Sequence, residues 1–168
     1  MTTRTDARPG LGLYEIDTTR SSLTFATRHL FGLAPVRGRF AISAGRADVT
    51  EPPQDCVVRA EIDAASFHTG NPVRDKAVRS ARFLDTARHP LITFVSQRCG
   101  PDFIEGTLTA RGVERPVRLA IGELELDPGA FTAAASARID RTQFGVTASR
   151  GMAGRYLELT LEVRCVRV

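Results

Sequence analysis

Near the C-terminus, Leu157, Leu159, Leu161 and Val163 alternate with Glu158, Thr160, Glu162 and Arg164. A strict period of two places one apolar and one wet face on an extended strand, and no helix satisfies it. The pattern recurs. Val58, Ala60 and Ile62 alternate with Arg59, Glu61 and Asp63, and Ile104, Gly106 and Leu108 with Glu105, Thr107 and Thr109. Phe131, Ala133, Ala135, Ala137 and Ile139 alternate with Thr132, Ala134, Ser136 and Arg138. Segments 23–28, 36–42, 46–49, 91–97 and 117–121 read the same way. The apolar parity flips between Ile121 and Leu124, which predicts a bulge or bend at Gly122. Each strand covered on one face only is the signature of antiparallel sheet.

One stretch departs from this rhythm. Val73, Ala77, Val78 and Ala81 have helical spacing, with Asn71 suited to the N-cap, Pro72 to the first position and Asp75 to the first turn. The spacing predicts one short helix over about 72–81 among eight or nine strands. Such a chain folds as a sandwich, a closed barrel or an open half-barrel. The apolar faces contain many small residues, among them Ala60, Gly106, Ala133, Ala135 and Ala137. A dry sandwich core favours larger side chains, whereas small ones lining a barrel leave room for a ligand. The expectation is therefore a closed or nearly closed antiparallel barrel, all-β apart from that helix. With 168 residues the chain suits one domain. Residues 1–12 read as a flexible tail and 13–168 as the barrel domain.

The rest of the composition excludes more than it suggests. All but one of the 23 basic residues are arginine, Lys76 being the exception, and they are scattered among 19 acidic ones. With no Trp and only Tyr14 and Tyr156 beside nine Phe, the chain lacks a nucleic-acid stacking platform. No apolar run approaches the ~20 residues of a membrane-spanning helix. Cys56, Cys99 and Cys165 form neither a CxxC nor an even disulfide framework, and the N-terminus carries no apolar leader. Both features point to the cytoplasm. His29, His68 and His89 fall in no metal-ligand spacing, and no GxSxG, Walker or GxGxxG motif occurs. Asp63, Asp75, Asp85, Asp140 and Glu105 show no spacing that pairs them as acid and base, while Asp140 and Arg141 suit a buried structural pair. Neither a catalytic constellation nor a metal or cofactor site is expected.

Two segments exceed generic strand and turn. One runs Ile62-Asp63-Ala64-Ala65-Ser66-Phe67-His68-Thr69-Gly70-Asn71-Pro72-Val73-Arg74-Asp75 and continues to Phe83-Leu84-Asp85 and His89-Pro90-Leu91. The other is Gly106-Thr107-Leu108-Thr109-Ala110-Arg111-Gly112-Val113-Glu114-Arg115-Pro116-Val117, whose Arg111-Gly112 suits a hairpin turn. With Ile139-Asp140-Arg141-Thr142-Gln143-Phe144-Gly145 and the opening Tyr14-Glu15-Ile16-Asp17, the chain resembles the YceI-like family of polyisoprenoid-binding, lipocalin-like proteins over about residues 13–165. It departs from that family's pattern at Tyr14, where many relatives have Trp, and at Ala77 and Val78, where they have His and Leu.

The resemblance implies an elongated eight-stranded barrel, extended by a helix, that holds an isoprenoid chain or isoprenoid quinone, often in a homodimer. On that reading the lumen is lined by Leu23, Phe25, Phe40, Val58, Ile62, Phe94, Leu108, Leu119, Phe131, Ile139, Leu157 and Leu159. Tyr14, Arg28, His29 and Arg74 are the candidates for the rim. Arg28, Arg37, Arg39, Arg74 and Arg79 would suit a phosphate head, whereas Tyr14 or His29 would serve a neutral quinone, the alternative favoured by Ala77. The expected role is storage or transport without covalent chemistry. The alternatives are a cyclase- or isomerase-like enzyme using His29 or Arg28, and a stress-related interaction protein using the barrel exterior.

Overall fold

The computed structural model describes residues 8–29, 33–149 and 153–168. Among the described residues there are nine strands: β1 (Gly12–Ile16), β2 (Ser22–His29), β3 (Ala34–Val49), β4 (Val57–His68), β5 (Leu91–Cys99), β6 (Phe103–Ala110), β7 (Val113–Asp127), β8 (Ala130–Asp140) and β9 (Tyr156–Arg167). One α-helix, α1 (Pro72–Arg79), follows β4, and short 3-10 turns occupy Pro53–Asp55 and Arg141–Phe144. Residues 1–7 of the expected tail lie outside the described residues.

All pairings are antiparallel, and the sheet runs β1-β3-β2-β9-β8-β7-β6-β5-β4. Pairing of β3 with β4 closes it. The nine strands fill eight positions, because β1 and β2 both lie between β3 and β9. They are two halves of one edge interrupted at residues 17–21. Ser21 Oγ holds that interruption against the ladder, donating to the Asp17 carbonyl (2.7 Å) and accepting from the Arg164 N–H (2.9 Å). Closure removes the free edges that would otherwise invite aggregation.

Local chemistry accounts for the corners. Arg111 and Gly112 both have positive φ (52° and 72°), the conformation of a two-residue hairpin between β6 and β7. The bulge expected at Gly122 appears as a register shift between Ile121 and Leu124. Asn71 caps α1, its side chain accepting from the Arg74 N–H (3.1 Å), with Pro72 at the first turn.

The helix faces the other way from what its apolar spacing suggests. Val73 is 81% exposed and Ala77 is exposed, while Asp75 is buried. Asp75 accepts two contacts from the Thr69 N–H (3.1 Å each) and one from the Thr69 hydroxyl (2.6 Å). Arg79 donates to the Phe67 carbonyl (2.6 Å). Polar ties to the end of β4, not an apolar stripe, hold α1 in place. Burial pushes the Asp75 carboxyl up, but the Thr69 hydrogen bonds, with His68 and Arg79 nearby, outweigh it and hold the group below the usual carboxylate range.

A depressed folded value means that this anchor is fully present above the unfolded carboxyl's ~3.9, weakens below it and is lost as pH falls through the lower folded value. Asp75→Asn is expected to cost about 1–3 kcal/mol at neutral pH, with a smaller difference near pH ~3. Denaturant unfolding at the two pH values checks this. A difference that persists undiminished in acid would overturn the assignment.

Candidate functional site in the barrel lumen

Residues directly opposite in an antiparallel ladder share a face. Leu23 pairs with Phe40 and Leu161, and Phe25 with Leu159. Ile62 pairs with Ile42 and Ile92, Phe94 with Ala60 and Leu108, and Val58 with Ala47. Leu119 pairs with Ile104, Phe131 with Cys165, and Ile139 with Leu157. All of the apolar lining residues expected from the sequence therefore fall on one continuous face. It is the face that carries the buried clusters, so it points inward.

These side chains are not equally covered. Leu23, Phe25, Ile62, Phe94, Leu108, Phe131 and Ile139 are buried. Phe40, Val58, Leu119, Leu157 and Leu159 are only partly so. So are Leu161, Val163, Ala133 and Ala135, which belong to the same alternation but were not among the expected lining residues. Inward side chains of a closed barrel remain accessible only where facing side chains do not fill the interior. The β8–β9 wall, with Ala133 and Ala135 on its inward row, is only partly covered in this way.

Each end of the lumen is plugged. At the helix end, Phe144 and Val146 are buried in a cluster with Phe94, Leu108 and Ile139, and Phe83 packs against it. Arg111 fastens this plug, donating to the Gly145 carbonyl and the Ala81 carbonyl (2.8 Å each). Arg141 is buried and donates to the carbonyls of Gly154 (2.7 Å), Val146 (2.8 Å) and Ala153 (3.3 Å). Asp140 instead pairs with Arg155 (3.0 Å) and accepts from the Thr142 N–H and hydroxyl. The expected Asp140–Arg141 pair is thus corrected: successive residues at a strand end point to opposite sides. These plug residues lie in loops, where no periodicity announces them.

At the far end Tyr14 is 2% exposed and meets Phe131 edge-on, with centroids 4.9 Å apart. Its hydroxyl donates to the Gly10 carbonyl (2.8 Å) and accepts from Arg167 (2.9 Å), whose guanidinium stacks over the ring. Cys165 is buried beside them, which pushes its thiol up to about 11.

The structure does not gather the expected rim residues. Tyr14 lies opposite Ala47, whereas Arg28 lies opposite Pro35, twelve residues away along β3. That is roughly 40 Å of strand. Arg28, Arg37 and Arg39 fall on the outward rows of β2 and β3, and Arg74 reaches the Thr69 hydroxyl (3.4 Å). The His29 backbone ends β2, and its side chain lies outside the described ones. Among the described residues, the inward rows of the barrel wall carry no acid. Glu105 faces outward between Arg98 (3.3 Å) and Arg118 (3.4 Å). Among the described residues the interior is apolar and brings together no pair of groups placed for proton transfer.

A closed antiparallel barrel with an apolar interior and one capping helix is a lipocalin-like architecture. The chain belongs to the YceI-like domain family, whose family model matches residues 14–165. It is 36% identical over 119 residues to a UPF0312 protein of Pectobacterium carotovorum, covering 66% of this chain and 62% of that relative's length. Against a UPF0312 protein of Shewanella baltica, identity is 31% over 158 residues, covering 88% of this chain and 82% of the relative. The fold is also similar to that of Burkholderia cenocepacia BcnA, with a TM-score of 0.73 at 19% identity, covering 89% of this chain and 98% of that one. A polyisoprenoid binding domain from Saccharophagus degradans, implicated in plant cell wall breakdown, superposes with a TM-score of 0.73 at 16% identity. That match covers 95% of this chain and all of the other.

Proposed function

We propose that the barrel encloses a long apolar isoprenoid lipid, a polyprenyl chain or an isoprenoid quinone, and stores or carries it without covalent chemistry. The observation that carries this reading is the half-covered β8–β9 wall, where Leu157, Leu159, Leu161 and Val163 face a lumen free of acids among the described residues. Burying a methylene contributes ~0.8 kcal/mol, so a tail of several prenyl units reaches micromolar affinity after association costs of about 4–15 kcal/mol. The polyisoprenoid-binding neighbour on the same fold supports the ligand class. The three free cysteines fit a reducing cytoplasm, which is part of the same reading.

Organic extraction of protein purified without detergent, followed by mass spectrometry, tests the proposal. A prenyl lipid in stoichiometric amount, recovered unchanged after long incubation, is the expected result. Failure both to find such a lipid and to load one would overturn the carrier reading, and conversion of a loaded lipid would replace it with an enzymatic one.

A further inference from the structure

The helix end of the barrel carries two of the most exposed large apolar side chains among the described residues, Leu33 at 84% and Val73 at 81%. They crown the same end. Leu33 immediately precedes β3, and Val73 lies in the first turn of α1, which follows directly from the end of β4. The β3 residue opposite that end, at His68, is Arg39. The outer face of α1 is Val73, Lys76 and Ala77, continued by Ser80 at its C-terminal cap, all exposed. A helix that buries an aspartate and presents a valine to water conflicts with ordinary burial preferences. The conflict is resolved if that face meets a surface.

Charge identifies the surface. Arg37, Arg39, Arg74, Lys76, Arg82 and Arg88 surround this end of the barrel. Asp75 is buried, Asp140 is taken by Arg155 and Glu158 by Arg138, which leaves Asp85 and Glu114 as the accompanying acids. The far end is rich in acid, with Glu51 and Asp55 after β3, Asp102 before β6, and Glu123 and Glu125 along the end of β7, besides Asp127, which is taken by Arg164. The chain is thus polar end to end: Leu11 and Val168 protrude at the acidic end, whereas Leu33 and Val73, more exposed still, protrude among cations.

We infer that the helix end docks on an anionic lipid bilayer, Leu33 and Val73 entering the interfacial layer while the surrounding cations meet lipid phosphates. Apolar insertion and basic charge together are the two signals that make peripheral binding persistent, and each cation near the surface is worth about fivefold in partitioning. The inference goes beyond the carrier reading and rests on exposure and charge, not on what the lumen holds.

Sedimentation of the full chain with vesicles of phosphatidylcholine, with or without phosphatidylglycerol and lacking any isoprenoid, tests it. Partitioning to the anionic vesicles is expected to exceed that to neutral ones by about tenfold or more and to weaken with salt. Val73→Asp and Leu33→Asp should each lower it by about tenfold. Val73→Asp should fold normally, because an exposed acid suits a helix first turn, and circular dichroism verifies this. Val168→Asp, at an exposed site on the opposite end (70%), should partition like the parent. Equal partitioning to both vesicle types would overturn the inference. So would parent-like binding by Val73→Asp, or an equal loss in Val168→Asp. Because the vesicles hold no isoprenoid, these outcomes are independent of lipid extraction from the lumen.

Discussion

Arg141→Met is expected to lose about 3–5 kcal/mol of stability. The residue is buried at the helix end, where its guanidinium donates to the carbonyls of Gly154, Val146 and Ala153 and lies 5.7 Å from the centre of the Phe83 ring. Methionine approximates its length but supplies no donor, so carbonyls of a covered loop would lose their partners. The same loop delivers Phe144 and Val146 to the core, which makes the loss cooperative with unplugging of the lumen. Arg111→Ala touches the plug from outside, through two carbonyls at an exposed position, and should cost less, about 1–2 kcal/mol. Denaturant midpoints of the two variants give the ranking. If Arg111→Ala proved the more damaging, the assignment of Arg141 as the principal tie of the plug would fail.

What was legible in the sequence follows from the range of the forces involved. Alternation along β8 and β9, the parity flip at Gly122 and the Asn71-Pro72 cap are local, and the structure shows each in place. The inward face follows from the same alternation, which also contains Leu161 and Val163. The orientation of α1 was not legible, because it is set by Thr69 and Phe67 at the end of β4 and not by the helix's own apolar residues. Asp140 and Arg141 look like a pair only while their opposite directions are unknown. Tyr14 and Arg28 look like neighbours on a rim until β1 and β2 are seen as halves of one strand position, with those residues near its two ends. The plug formed by Phe83, Phe144 and Val146 was invisible because loops carry no period.

Ala135→Trp is expected to weaken uptake of a prenyl lipid by roughly a hundredfold while leaving the barrel folded. Ala135 sits on the inward row between Ile121 and Leu161 and is only partly covered, so on the carrier reading a large side chain there enters the space that the ligand takes. Filling the lumen with an indole displaces about one isoprene unit of ligand, worth ~3 kcal/mol at ~0.8 kcal/mol per methylene. Gly106→Ala is the contrasting case. A Cβ at Gly106 would meet the Val95 carbonyl oxygen and approach the Phe94 ring to 2.6 Å, so even one methyl group overpacks that wall. It should cost about 1–3 kcal/mol of stability, with affinity for lipid largely retained by the folded fraction. Measured together, denaturant unfolding and lipid loading separate an open wall from a packed one. An Ala135→Trp protein that melts as early as Gly106→Ala yet loads lipid like the parent would show that this wall is closed and that the ligand is held elsewhere.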